Sequence, residues 1–360
     1  MVLHPASPLA ALVREAGLDA VPFVLSRSPA AAWRLSRLAG RHDVTVSTVR
    51  WEHRTVGLAA RLAGLPGTVA RLMSGWDPEA RESVWRRARH RWYHRRFVHL
   101  AATNSEAGRA EVIRRGLLPA DRVVAIHNGV DLDRFEPQRV PRGRLRAELG
   151  VPDGALLMIS ISRFAERKGQ AFELEALGRV VASRPDAHVV FVGPCAEEDR
   201  PYRDALVERA AAFPGAGRIR FLEDRRDVPE MLADADLLVR AALQEGLPNI
   251  ALEAMAMRVP VLATGICGTP EAVVDGETGK LVAPRDVDAL FRAANELLRA
   301  PASRRRAMGE AGRVRVERYF TLDRMADAYE RLFERAARSG PRKNGRPSWE
   351  QPPAGINEVE

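Results

Sequence analysis

The chain has 360 residues, 46% hydrophobic and 29% charged, enough for two soluble domains with separate cores. No stretch approaches the roughly 20 apolar residues that span a bilayer, and Glu15 and Asp19 interrupt the run a signal peptide needs. The formal charge of +9 is uneven: residues 1–150 hold 25 Arg, no Lys and 14 acids, a balance of +11, whereas 151–338 carry −2.

Strands and helices alternate along the chain, the βαβ rhythm of parallel sheets. In the first half, helices are predicted at 7–16, 30–39, 54–63, 78–96 and 105–115, and strands at 19–25, 43–49, 67–73, 97–102 and 122–126. The helix at 78–96 carries Arg86, Arg87, Arg89, Arg91, Arg95 and Arg96, interleaved with Trp85, Trp92, Tyr93 and Phe97. Over 81–97 such a helix can face an anionic membrane surface; a solvated face is the plainer alternative. No recognition module accompanies the charge, so no nucleic-acid partner is expected.

The rhythm breaks between Asn128 and Pro152. Asn128-Gly129 is a turn dipeptide, and Pro137, Pro141, Gly143 and Gly150 punctuate the residues after it. Strands resume at 156–162, 189–192, 219–222, 237–239, 259–263 and 280–282, separated by helices, and three helices close the chain at 286–299, 303–316 and 322–337. The expected division is therefore a first Rossmann-like domain over 1–140, a second over 150–320, a helix over 321–338 and a disordered tail over 339–360. Open parallel sheets bind ligands beyond the carboxyl ends of their strands, so a cleft between the two domains is the expected site. Cys195 and Cys267, the only cysteines, offer no disulfide framework, and a reducing cytoplasm is the expected compartment.

The strongest constellation is Glu245-Gly246-Leu247-Pro248-Asn249-Ile250-Ala251-Leu252-Glu253. Pro248 suits a first helical position, which leaves the amides of Gly246, Leu247 and Asn249 pointing out of a helix N-terminus toward phosphate or hydroxyl oxygens. Side chains tilt toward the start of their helix, so Glu253 leans back to that opening, which Glu245 lines from the loop. Taken singly, Glu253 is an exposed helix residue and Glu245 a loop acid; together, around Gly-Leu-Pro-Asn, they suit sugar hydroxyls. A second run, Ser162-Arg163-Phe164-Ala165-Glu166-Arg167-Lys168-Gly169, delivers Arg163 at a strand's carboxyl end and Lys168 at the start of a helix. A cation there opposes the helix dipole, which a nearby anion would explain. Only 3 of the 56 basic residues are Lys, so Lys168 is less easily dismissed as a surface cation.

Several stretches resemble metal or nucleophile motifs but do not fit them. Asp131-Leu132-Asp133 belongs to a turn and Asp234-Ala235-Asp236 to a helix end; His90 and His94 sit among arginines, which disfavours a cation. Cys267 reads as a small buried residue. No metal site is expected.

The Glu245…Glu253 segment, Arg163…Lys168-Gly169, His127-Asn128-Gly129-Val130-Asp131…Arg134-Phe135 and Gly268-Thr269-Pro270-Glu271…Asp275-Gly276-Glu277-Thr278-Gly279 resemble family 4 retaining glycosyltransferases. The resemblance covers roughly residues 1–337 and is most specific over 120–285. It implies a GT-B fold of two Rossmann-like parallel-sheet domains facing a central cleft. It also implies a nucleoside-diphosphate sugar held by the second domain, as substrate with no further cofactor, and an acceptor held by the first. By that resemblance Glu253 binds ribose hydroxyls, while Glu245 and the amides of Gly246, Leu247 and Asn249 face the transferred sugar. Arg163 and Lys168 neutralise the diphosphate, and Asp227 and Val228 lie near the base. The final helix, around 320–333, would cross back to the first domain.

Two departures stand out. Members open with a strand, a Gly-rich loop and a helix, whereas residues 1–9 are similar to the segment beyond that unit, so its absence is expected. Many members carry a His after the strand matching 67–73, where this chain reads Arg71-Leu72-Met73-Ser74-Gly75-Trp76-Asp77. The leading reading is transfer of a sugar to a cell-envelope lipid or polysaccharide at the inner face of the plasma membrane. The alternative is a non-catalytic remnant that binds nucleotide or an anionic membrane.

Overall fold

The computed structural model describes residues 2–3, 21–22, 29–48, 53–65, 68–72, 83–223 and 225–339. The expected helix at 7–16, the segment Ser74–Asp77 and the tail beyond Ser339 lie outside them.

In chain order the elements are β1 (Val2–Leu3), β2 (Val21–Pro22), α1 (Pro29–Ala39), β3 (Thr45–Ser47), α2 (His53–Leu62), β4 (Thr68–Leu72), α3 (Val84–Phe97), β5 (Val98–Thr103), α4 (Glu106–Arg114) and β6 (Val123–Ala125). The short helix α5 (Arg144–Leu149) opens the second half. It is followed by β7 (Leu156–Ile161), α6 (Gln170–Ser183), β8 (Ala187–Val192), α7 (Arg200–Ala211), β9 (Ile219–Leu222), α8 (Val228–Asp234) and β10 (Leu237–Arg240). Then come α9 (Asn249–Ala256), β11 (Val261–Thr264), α10 (Thr269–Ala272), β12 (Gly279–Val282), α11 (Val287–Arg299), α12 (Ala302–Tyr319) and α13 (Leu322–Arg338).

Both larger sheets are parallel. One runs β3-β4-β5-β6, the other β12-β11-β10-β7-β8-β9. The second sheet is covered on both faces, and the alternation of its strands shows how. Leu157, Ile159, Val190 and Leu238 point into one apolar cluster, while Met158, Val189, Phe191, Leu237 and Val239 point into the other. Successive strand side chains face opposite ways, so a strand buried on both sides reads as continuously apolar. In the first sheet Ala70, Leu72, Val98 and Ala101 pack toward Val112 and Leu118. On its other face Val69, Leu100 and Ala102 meet Leu332 and Ala336 of α13. Helix α13 thus closes the first sheet although it comes after the second in sequence.

The structure differs from the sequence reading at three points. Val2 and Leu3, given no strand, form β1 and pair in parallel with Val21 and Pro22. The punctuated segment after Asn128 contains a helix, α5, between Gly143 and Gly150, both in the left-handed region. Its start is fixed from far along the chain: the buried Asp234 carboxylate accepts from the amides of Gly143, Leu145 and Arg146, the last two at 2.8 and 3.2 Å. Asp236 accepts from the Leu157 amide at 2.9 Å and pairs with Arg146 at 2.7 Å. Both acids of the Asp-x-Asp decoy therefore serve the fold. The third point is Lys168, which belongs to the site.

Candidate active site

The site forms where β7, β10 and the start of α9 converge. Beyond β7, Arg163 is exposed, and its side chain has no partner among the described residues. Lys168 ends a single 3-10 turn, Glu166–Lys168, and Gly169 (φ 76°) then leads into α6. A Cβ at Gly169 would overlap the Ala241 carbonyl, so only glycine lets this turn lie against the end of β10. This corrects the expectation that Lys168 occupies the first turn of a helix. The anion facing it belongs to the protein: Nζ donates to Glu245 Oε2 at 2.9 Å and Oε1 at 3.1 Å.

Glu245 is also bound by Arg240, whose Nη2 donates to Oε2 at 3.0 Å. Burial opposes ionisation of Glu245, but Arg240 and Lys168 outweigh it and hold the carboxyl below its usual range. Burial also lowers Lys168, against the pull of Glu245. Glu245 is accordingly a carboxylate at neutral pH. Arg240 was missed by the sequence reading; its one signal is a charge ending the apolar run Leu237-Leu238-Val239.

Gly246, Leu247 and Pro248 are buried, and α9 begins at Asn249 with Pro248 as the flanking residue. Among the described residues no acceptor faces the amides of Gly246, Leu247 or Asn249. The opening is therefore a row of free donors. Glu253 stands one turn inside, partly buried, with no hydrogen-bond donor for its carboxylate among the described residues. Burial raises its pKa, with Arg134 the opposing charge. Arg134, from the Asn-Gly-Val-Asp turn, also donates to the Arg226 carbonyl at 3.3 Å, joining Glu253's surroundings to the loop before α8. In that loop Asp227 is gripped by Arg225 at 2.8 and 2.6 Å, and Arg225 binds Glu148 at 2.6 Å. Val228 packs against the core beneath α9.

The first domain reaches this opening through Asn128, whose Nδ2 donates to Asn249 Oδ1 at 2.6 Å while Arg71 Nη2 donates to Asn128 Oδ1 at 3.0 Å. Nearby, Glu271 of α10 caps α4 of the other domain. Its oxygens accept from the Glu106 and Ala107 amides, each at 2.8 Å, and His127 Nε2 lies 2.8 Å away. Burial raises Glu271, but His127 and the two amides prevail and lower it. Asp131 Oδ1 accepts from the Asp133 and Arg134 amides, so the other Asp-x-Asp is a turn device. His94 is buried with Nδ1 2.8 Å from the His90 carbonyl, and Cys267 is half-buried, its thiol pKa raised by burial.

The structure thus brings together Lys168 and Glu245, places Glu253 beside free amides, and leaves Arg163 unengaged. Such a set can bind an anion and several hydroxyls side by side. The model described as glycosyl transferases group 1 matches residues 141–315, and the one described as glycosyltransferase family 4 matches 6–134. The chain is 34% identical over 306 residues to the GDP-mannose-dependent alpha-(1-6)-phosphatidylinositol monomannoside mannosyltransferase of Mycolicibacterium smegmatis, covering 79% of this chain and 75% of that protein. It is 33% identical over 219 residues to the D-inositol 3-phosphate glycosyltransferase of Mycolicibacterium paratuberculosis, covering 60% and 48%. Beyond the first, the chain spans about half the length of the curated relatives it matches. In fold it is similar to Anabaena Alr3699/HepE in complex with UDP, with a TM-score of 0.81 at 20% identity, covering 93% of this chain and 91% of that one. Two parallel-sheet domains, both family models and a relative matched over most of its length lead to one conclusion: the chain belongs to the group 1, family 4 glycosyltransferases, has their GT-B fold, and uses a nucleotide-sugar donor.

Proposed function

We propose that this enzyme transfers a hexose from a nucleoside-diphosphate sugar to a cell-envelope lipid or polysaccharide, with retention of anomeric configuration. The observation that carries the reading is Glu253, a carboxylate with no donor among the described residues, one turn inside a helix whose leading amides, Gly246, Leu247 and Asn249, meet no acceptor among them. Ribose and sugar hydroxyls supply the donors Glu253 lacks, and phosphate oxygens suit the amides. Arg163 and Lys168 offset the charge that builds on the departing diphosphate, and Glu245 faces the transferred sugar. Asp227 and Val228 flank the base. The first relative's name, which specifies GDP-mannose and a phosphatidylinositol mannoside, favours a phosphorylated polyol lipid as acceptor. No metal enters this scheme.

Turnover of GDP-mannose, UDP-glucose and other nucleotide-sugars against an envelope lipid extract tests it. One donor is expected to be used at least about ten-fold better than the rest, in the presence of EDTA. Binding of nucleotide without release of diphosphate for any donor would favour the non-catalytic remnant.

A second reading concerns α3. Only His94 of this helix is buried, while Trp85 and Trp92 are 86% and 63% exposed on a face shared with Arg89 and Arg96. Arginines and indoles on one face suit an anionic bilayer interface, where tryptophan rings settle at headgroup depth. Among the described residues no helix is long and apolar enough to cross a membrane. We expect the protein to sediment with phosphatidylglycerol vesicles but not with phosphatidylcholine ones, and less so in high salt. Trp85→Ala with Trp92→Ala should reduce that binding; unchanged sedimentation would remove α3 from the account.

A further inference from the structure

Arg240 ends a strand whose neighbours Leu238 and Val239 are fully buried, and only 3% of its own side chain is exposed. A guanidinium there is costly unless it is paired, and an apolar residue is the default at such a position. Its partners show what it does. Nη2 reaches Glu245 at 3.0 Å, Nη1 lies 3.7 Å from Glu173 Oε1, and the Lys168 carbonyl is 3.4 Å away. Nε is buried with no partner among the described residues, so the side chain is held by its two ends.

Glu173, on α6, is completely buried. It accepts from Ser160 Oγ at 2.5 Å and from the Ala241 amide at 2.6 Å. It is thereby fixed to β7 and to the loop that carries Glu245. The four groups Lys168, Glu245, Arg240 and Glu173 alternate base and acid along a row; burial raises the Glu173 pKa, with Arg240 the largest opposing influence.

We propose that Arg240, seated on Glu173, is a positioning residue that holds Glu245 in place while Lys168 turns to the donor's diphosphate. The inference rests on the reading that Glu245 faces the transferred sugar. With Lys168 alone, an arriving diphosphate would compete with Glu245 for a single cation, and the carboxylate would lose its anchor as the donor bound. With Arg240 behind it, Glu245 keeps one charge-assisted bond throughout. The cation at the front is free to be shared. Glu173 is the second acid facing this buried arginine, 3.7 Å from Nη1.

Arg240→Met, alone and combined with Glu173→Leu, tests the role against GDP-mannose and UDP-glucose. The single variant is expected to lose about 10–100-fold in kcat, while affinity for free GDP or UDP falls less than about three-fold. Its acid limb should move to higher pH. Of the charged groups acting on Glu245, Lys168 from the turn after β7 would remain as the cation, with the Cys267 thiol and the Glu173 carboxyl the other titratable neighbours. The double variant replaces a buried ion pair by apolar groups and should recover the Tm lost in the single one without recovering kcat. Arg240→Lys should restore part of the rate.

A kcat that returns together with Tm in the double variant would make Arg240 purely structural and overturn the proposal. Glu245→Gln separates this from failure of the underlying reading. If it turns over as fast as the parent, the sugar-facing assignment falls. If it is impaired while Arg240→Met keeps the parental rate and acid limb, only the positioning role falls.

Discussion

Arg163→Ala is expected to lower kcat/KM about 10²–10³-fold while leaving the melting temperature unchanged, because its side chain is exposed and engages nothing else among the described residues. The loss should fall on nucleoside-diphosphate ligands and spare nucleosides if Arg163 acts on the phosphates as proposed. Lys168→Ala should show a different signature. It removes the same kind of charge but also strands Glu245, whose carboxylate is 16% exposed and keeps only Arg240. Breaking a buried pair from one side costs about 3–5 kcal/mol at the upper end, and the Glu245–Arg240 contact reduces that figure here. Kinetics and thermal melting on both variants check the contrast. Equal melting temperatures would mean that the Lys168–Glu245 contact is of no consequence to the fold, and equal losses for nucleoside and nucleoside diphosphate would remove Arg163 from the leaving group.

Glu253→Ala is expected to weaken nucleoside-diphosphate binding by about 10–100-fold, the loss of one well-made hydrogen bond to a charged acceptor. The ligand-free protein should melt no earlier than the parent, since a partly buried carboxylate without a donor contributes little to folding. The pH dependence comes from the direction of its shift. Burial raises the Glu253 pKa, so in the absence of ligand it takes up a proton at a higher pH than an ordinary glutamate. Under the proposed assignment the charged form is the better acceptor for a ribose hydroxyl. Binding should therefore decline as pH falls through that raised value, above the roughly 4.3 of a free glutamate. Glu253→Gln should abolish this limb. Calorimetric titration of GDP or UDP across mildly acidic pH makes the test, and a parental limb in the Gln variant would assign it to another group.

Sequence alone determined much of this protein. Alternating apolar runs and helical periods announced two parallel-sheet domains, because period-2 and period-3.6 burial are local properties of the chain. Several strands, such as 219–222, coincide with those observed. The Glu245…Glu253 segment and the Arg163…Lys168 run were legible because each lies within a dozen residues, where backbone geometry decides which groups converge. The same locality explains what the sequence misjudged. Lys168 looked as if it opposed a helix dipole, yet its counter-ion stands 77 residues away, and only the pairing of β10 beside β7 brings Glu245 to it. Helix α5 was invisible because its cap, Asp234, is supplied from beyond β9. Arg240, just past the predicted strand 237–239, went unread. Its meaning depends on Glu173, a helix residue 67 positions earlier that no periodicity links to it. Glu271, quoted for its motif alone, caps a helix of the opposite domain. Local pattern fixes elements and short motifs; charges buried far from water must find partners wherever the fold places them, and that pairing is decided only by tertiary structure.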